Sequence, residues 1–254
     1  MIAIDGTITD TVTGATVGRF AQTTASLPAR VSVSAPGYIT RETLVRSATP
    51  AVDLFPERGF DLAFYRQLAR DDFQRNSGAM QPLWVLDQAP SFYLEVEGAK
   101  GVSAQVGQRL EEVARRMVPS LTGGRFQVTR WETGPTPRAP QPGWIVIERA
   151  DLGREVCGRA TVGAVAGQIW LHTDNVCNLD GVLAHEIGHA FGFFHVNMVG
   201  ALMYPQARRS NIADAPIERE RDHASFAYAR PRGSRDIDVD SQPATLSAAA
   251  IVID

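Results

Sequence analysis

Residues 183–196, LAHEIGHAFGFFHV, carry three histidines and a glutamate at fixed spacings. His185 and His189 are four residues apart, so on a helix both imidazoles project from the same face, about one turn apart. Gly192 follows at a point where a helix can end on a residue in the left-handed conformation at little steric cost. The chain can then turn back and bring His195 towards the first two histidines. This stretch predicts a helix, a turn and three imidazoles that converge on one point.

Three converging imidazoles are a donor set for zinc. Imidazole nitrogen binds Zn²⁺ at about 2.0–2.1 Å, and three protein ligands leave one position of a tetrahedral ion open, as in catalytic sites. We therefore predict one catalytic Zn²⁺ held by His185, His189 and His195. Glu186 lies about 100° further around the helix, beside the metal, where it can act as the general base for an attacking water.

A second motif follows the third histidine. Met203 lies eight residues after His195 in the segment GALMYP, residues 200–205. Together with the pattern H-E-x-x-H-x-x-G-x-x-H, this segment resembles the Met-turn of the metzincin zinc endopeptidases, in the form that matrixins have. The resemblance implies an α+β catalytic domain with a twisted mixed sheet, an active-site helix and a C-terminal helix, and a peptide or protein substrate bound in extended conformation.

Two positions depart from the best-known metzincin families. Val196 follows the third histidine where matrixins typically have serine, and no pattern for a second, structural zinc is evident. Tyr204 is adjacent to Met203, not two residues after it, so we expect Tyr204 to form a wall of the primed-side specificity pocket and not to bind the metal. We therefore expect a secreted metzincin of bacterial type outside the best-known families.

The rest of the catalytic region, residues 83–233, shows the expected alternation of elements. Period-two and period-3.6 patterns predict strands over 91–97, 124–132, 143–150 and 168–173, and helices over 102–118, 180–193 and 216–230. Pro119 is expected to end the first of these helices. The family resemblance implies an antiparallel edge strand along the cleft that pairs with the substrate. The candidate is GQIWLHT, with Ile169, Trp170 and Leu171 in the cleft.

The N-terminal 55 residues alternate between short strand patterns and turns. The stretches GTITDTVTGATV, SAPGY and VDLFP resemble a carboxypeptidase-regulatory-like (transthyretin-like) β-sandwich, the alternative being a β-extension packed on the enzyme. Residues 56–82 are predicted to be a helical linker, with a helix over 60–75 and Asp61 near its start. A latency segment over the cleft is the alternative. Residues 234–254 are expected to be a tail or an edge strand.

The two cysteines, Cys157 and Cys177, lie in loop-like sequence. A disulfide between them would close a loop of about 20 residues and stabilise the fold by about 3 kcal/mol, the alternative being two separate buried thiols. A disulfide favours an oxidising compartment, extracellular or periplasmic. The start, MIAIDGTITD, lacks the charged and apolar regions of a signal peptide, so the protein is either cytosolic or a form whose leader was removed. The cysteine pair favours the second alternative.

Other partners have little support in the sequence. The net charge is −3, no basic run with interleaved aromatics suggests nucleic acid, and no stretch approaches the roughly 18 apolar residues of a membrane span. Asp236, Asp238 and Asp240 could ligate calcium, although a solvated acidic face is the default.

Two other functions remain open: a zinc-containing adhesion or binding module without turnover, and a narrow-specificity processing protease. Glu186 favours an enzyme, since a binding module needs no base.

Overall fold

The computed structural model describes residues 1–75, 78–153, 156–173, 177–205, 213–235, 238–242 and 251–253. Within these ranges the chain forms strands and helices in the following order: β1 (Ile2–Asp10), β2 (Thr16–Thr24), β3 (Ala29–Val33), β4 (Arg41–Val45), β5 (Ala51–Leu54), α1 (Leu62–Arg70), β6 (Ser91–Glu95), α2 (Ala104–Leu121), β7 (Trp131–Gly134), β8 (Trp144–Ala150), β9 (Gly158–Val162), β10 (Ala166–His172), α3 (Leu179–Ala190), α4 (Glu218–Tyr228) and β11 (Ile251–Ile253). The architecture is a small all-β module followed by an α+β region, as the sequence predicts.

The N-terminal module consists of two small sheets. One sheet has the order β2-β1-β5, and the other pairs β3 with β4. Alternate residues of β1, β3, β4 and β5 point inwards, as the period-two pattern requires. They bury a common apolar core made of Ile4, Ile8, Ala29, Val31, Val33, Val45, Val52 and Leu54.

The segment after the module contains the predicted helix. Asp61 caps α1, because its side chain accepts a hydrogen bond from the backbone N–H of Phe64, which satisfies one of the free donors of the first turn. The helix ends at Asp71, a residue with a φ of 58°. Leu68 and Ala69 are fully buried against the catalytic region. The helix predicted over 60–75 is therefore present, but it is shorter than predicted and spans Leu62–Arg70.

A six-stranded sheet with the order β11-β9-β10-β8-β6-β7 forms the centre of the α+β region. Strands β7, β6, β8 and β10 run parallel, while β9 is antiparallel to β10 and β11 is antiparallel to β9. Helices α2 and α3 pack against each other, and α3 also packs on β9 and β10. Among the described residues, no helix combines the length and the hydropathy needed to cross a membrane.

Two local predictions were wrong, and one strand was not predicted. The strand expected over 124–132 is confined to Trp131–Gly134, because the residues before it fold back on the end of α2, where Thr122 Oγ1 accepts from the Phe126 N–H. Helix α2 runs past Pro119 to Leu121. A proline in the last turn removes only one helical hydrogen bond, and the burial of Leu121 holds the turn in place. Strand β9 was missed within a glycine-rich stretch.

A buried cluster of charges joins the module to the residues that follow α4. Arg230 contacts the carboxylates of Asp53 in β5 and Asp238, and Arg41 in β4 contacts Asp53 and, at 3.0 Å, Asp240. The Asp238 and Asp240 side chains are thus buried and paired with arginines, so the solvated acidic face expected for them is wrong. The calcium site named as the alternative gains no support from these pairs. Asp236 lies outside the described residues.

Candidate active site

The three histidines of the opening motif meet at one point. His185 and His189 project from α3, and His195 comes from the loop that follows it. Their Nε2 atoms are 3.1, 3.1 and 3.2 Å apart. The loop turns at Gly192, whose φ of 99° lies in the left-handed region, as the sequence predicts. Spacing alone therefore placed all three imidazoles correctly relative to one another.

The other ring nitrogen of each helical histidine is fixed by a backbone carbonyl. His185 Nδ1 lies 2.6 Å from the Leu202 carbonyl oxygen, and His189 Nδ1 lies 2.7 Å from that of Phe193. A carbonyl oxygen can only accept, so each Nδ1 must carry the proton and donate it. Each Nε2 then presents a lone pair to the centre, the arrangement usual for metal-ligating histidines.

The third histidine is oriented by a residue far away in the sequence. His195 Nδ1 lies 2.7 Å from Gln74 Oε1 and donates its proton to that amide oxygen. The loop around His195 is also tied to α1, since the Phe194 N–H donates to the Leu68 carbonyl at 2.7 Å. The Asn197 N–H donates to Gln67 Oε1 at 2.8 Å. The sequence did not indicate this role of Gln74, because no spacing rule connects residues 121 positions apart.

This donor set fits zinc. A tetrahedral ion held at 2.0–2.1 Å needs ligand nitrogens about 3.3 Å apart, close to the separations between the three Nε2 atoms. Three lone pairs that face one another repel unless a cation lies between them. Burial lowers the pKa of all three imidazoles, to about 3 for His195, which keeps them in the neutral form that binds a metal.

Met203 lies directly under the active-site helix. A Cβ atom at Gly188 would lie 2.3 Å from the Met203 sulfur, so only glycine allows this close approach. The Met203 carbonyl accepts from the Val196 N–H at 2.9 Å. The turn that contains Met203 therefore contacts both the helix and the loop that carry the histidines, while Tyr204 next to it is half-buried.

Glu220 in α4 holds that turn from below. Its carboxylate accepts from the backbone N–H groups of Leu202 and Met203 at 2.9 and 2.8 Å. The same carboxylate accepts from the Ile217 N–H at 2.9 Å. Glu220 is fully buried, and burial raises its pKa. Sequence reasoning missed this residue because it lies within the charged run ERERD, which resembles a solvated helix face.

Glu186 is buried beside the start of β9. A Cβ atom at Gly158 would lie 2.4 Å from Glu186 Oε1, so the glycine leaves the room that the carboxylate occupies. Glu186 directly follows His185 in α3, and its carboxylate reaches the strand that packs along this helix. The arrangement puts a buried carboxylate at the face where α3, the helix that carries two of the histidines, meets β9.

The strand predicted to border the cleft is in the wrong place. Strand β10 pairs with β8 on one side and with β9 on the other, so no backbone edge remains for a substrate. Ile169 and Leu171 are fully buried, and Trp170 donates its indole N–H to Glu148 at 3.1 Å. The antiparallel strand next to α3 is β9, which the sequence analysis did not identify.

The predicted disulfide is present. Cys157 and Cys177 are joined, with a sequence separation of 20 residues. Cys157 immediately precedes β9, and Cys177 lies two residues before the start of α3. The bond therefore ties the beginning of the strand to the beginning of the helix that carries Glu186.

A mixed sheet, a helix with two histidines and a glutamate, a third histidine and a Met-turn together define a zinc metalloprotease of the metzincin class. The sequence model of the matrixin family matches residues 86–224, more than half of the chain, and the chain belongs to this family. The expectation of a place outside the best-known families, which rested on Val196, on the position of Tyr204 and on the missing pattern for a second zinc, is therefore wrong. No curated protein matches the chain.

Proposed function

We propose that this protein is a secreted zinc endopeptidase that hydrolyses peptide bonds in extended segments of its substrates. The convergence of the three Nε2 lone pairs beside a buried carboxylate is the observation that carries the proposal. His185, His189 and His195 would hold one Zn²⁺. The disulfide supports an oxidising compartment outside the cytoplasm.

Glu186 is the general base in this proposal. Zinc bound by the three histidines supplies a Lewis acid that polarises the scissile carbonyl and acidifies water. The Glu186 carboxylate takes a proton from the attacking water and returns it to the leaving amine. The tight contact with Gly158 fixes the position of this carboxylate, and positioning of the base is what makes proton transfer efficient. Tyr204, next to the Met-turn, remains our candidate for a wall of the primed-side pocket.

The first test is Glu186→Gln, with Glu112→Gln on the exposed face of α2 as the matched control. A general base contributes about 10²–10⁴-fold, so the first variant should lose at least about 100-fold in activity while it still binds one zinc per chain. The control should keep full activity. The measurement is digestion of a peptide library with and without a chelator, beside metal analysis of each protein.

The same digest distinguishes the other two functions. A zinc-containing binding module would hold one zinc per chain and cleave nothing in the library, and a processing protease would cleave very few sequences. Unchanged cleavage by the Glu186→Gln variant would exclude Glu186 as the base. Cleavage that persists in the chelator would exclude zinc hydrolysis altogether.

A further inference from the structure

Strand β11 occupies the outer edge of β9. Ile251 lies opposite Val162 and Ile253 opposite Ala160, in an antiparallel register. The inner edge of β9 pairs with β10. A strand has only two hydrogen-bonding edges, and an exposed edge is a template for another extended chain. The position that an extended peptide would need on β9 is therefore filled by a segment of the same chain.

This edge borders the candidate active site. The start of β9 contacts the carboxylate of Glu186 at Gly158. Just beyond its other end, the Gly163 N–H donates to the His189 carbonyl at 3.1 Å. Strand β9 thus runs along α3 from the general base towards the second histidine. Whatever pairs with its outer edge lies alongside the proposed catalytic residues.

One side chain of β11 enters an apolar pocket, and its neighbour does not. Ile253 is 5% exposed and packs against Trp84, Val162 and Phe194, which we call the aliphatic pocket. Val252, the preceding residue, is 45% exposed. Main-chain pairing with a pocket for alternate side chains is how sheet edges bind peptides selectively. Phe194 precedes His195, so the pocket lies next to the third histidine.

We propose that β11 is an internal occupant that blocks the outer edge of β9 and the aliphatic pocket, the peptide-binding surface beside the proposed active site. A peptide that binds there presents a branched aliphatic side chain to the pocket. Because the edge admits only one strand, β11 competes with any other peptide and must leave first. That bound peptides are cleaved rests on the proposed function, whereas the competition between β11 and a peptide for this edge does not.

The register also places the aliphatic side chain relative to the scissile bond. A chain paired like β11 runs from Val162 towards Gly158, and Ile253 lies opposite Ala160. Two residues further along such a chain would lie opposite Gly158, where β9 contacts Glu186. The residue in the aliphatic pocket therefore lies on the amino side of the bond to be cleaved, about two residues away from the position beside Glu186.

The binding experiment compares adjacent residues of one strand. Ile253→Ser should release β11 from the pocket, and Val252→Ser should not, because only the first side chain is buried. Both changes are made in the Glu186→Gln protein, so that no peptide is consumed. The probe is the synthetic peptide AAAIVID, the sequence of residues 248–254, titrated by calorimetry. The control peptide, AAAIVSD, has serine at the pocket position.

The expected result is that AAAIVID binds the Ile253→Ser protein about tenfold or more tightly than the Val252→Ser protein, the scale of one buried aliphatic side chain. The control peptide should lose this gain. Ile253→Asp serves as a second released variant, and thermal unfolding verifies that each protein is folded. Equal affinity of AAAIVID for the released and control proteins, or equal binding of the two peptides, would overturn the proposal.

Hydrolysis by proteins with intact Glu186 separates this proposal from the proposed function. With peptide-library substrates, Ile253→Ser should lower KM several-fold with little change in kcat, and cleavage should favour aliphatic residues at one position on the amino side. Binding without hydrolysis would support the peptide-binding surface and contradict the endopeptidase. Hydrolysis with the same KM for both serine variants would support the endopeptidase and contradict the role of β11.

Discussion

Gln74 has a positioning role in the candidate active site, because it orients one of the three converging histidines. Its amide oxygen accepts the Nδ1 proton of His195 and so keeps the Nε2 lone pair directed at the other two histidines. The residue lies before the segment that matches the matrixin family. The third ligand of the proposed zinc is thus oriented from outside the family region.

We expect Gln74→Ala to weaken zinc binding by about 10–100-fold, the usual effect of removing a partner of a metal-ligating histidine. The measurement is competition with a chelator of known affinity. Gln88→Ala, at another exposed glutamine, is the control and should leave the affinity unchanged. Thermal unfolding of the zinc-free proteins should be alike, since the hydrogen bond orients a ligand and adds little to the fold. Unaltered zinc affinity in Gln74→Ala would contradict the positioning role.

The sequence could predict that the three histidines converge, but it could not predict the residues that orient them, for a physical reason. His185 and His189 are related by the helical repeat, and the glycine turn brings His195 back within ten residues. Both relations join residues that are close in sequence, so the spacing of the residues is enough to predict them. Gln74 and Glu220 reach the site through tertiary packing, which no single-sequence pattern records.

At the scale of elements, the disulfide joins the strand β9 to the helix α3. The bond closes a loop with a sequence separation of 20 residues, which corresponds to about 3 kcal/mol of stabilisation in the chain-entropy estimate. It also fixes where the start of β9 lies relative to Glu186. Reduction of the bond should therefore affect both the stability and the geometry of the site.

We expect the double variant Cys157→Ala/Cys177→Ala to lose about 3 kcal/mol in its free energy of unfolding, measured by denaturant titration. Its KM for peptides should rise, because β9 is no longer tied to α3. Addition of a reductant should destabilise the wild-type protein and leave the double variant unchanged. A double variant as stable as the wild type would show that the two segments are held by packing alone.

The same elements show where sequence patterns mislead. Strand β10 has the stronger apolar run, because an interior strand is buried on both sides, and it was therefore chosen as the cleft strand. Strand β9 contains Gly158 because the carboxylate of Glu186 needs the space. The glycine that leaves room for Glu186 therefore weakened the alternating apolar pattern from which β9 could have been predicted.

At the scale of the whole molecule, the charge cluster of Arg41, Asp53, Arg230, Asp238 and Asp240 holds the N-terminal module against the catalytic region. The backbone supports the same junction, since the Glu42 N–H donates to the Asp238 carbonyl and the Asp240 N–H donates to the Glu42 carbonyl. The domain limits 1–55, 56–82, 83–233 and 234–254 remain predictions. The ion pairs of the charge cluster nevertheless join residues on both sides of the limits at 55 and 233. The hydrophobic pattern of the sequence did not predict these contacts.

Arg230→Met tests how strongly this junction is held. The side chains of Arg230 and Asp238 are each 1% exposed, and removal of one partner from a buried ion pair costs about 3–5 kcal/mol because the other charge stays buried. The matched control is Arg19→Met, whose pair with Asp5 is largely exposed and should contribute little. Denaturant titration should show one transition for both proteins, shifted strongly only in Arg230→Met. Two separate transitions in the wild-type protein would mean that the module and the catalytic region unfold independently, and that the charge cluster does not couple them.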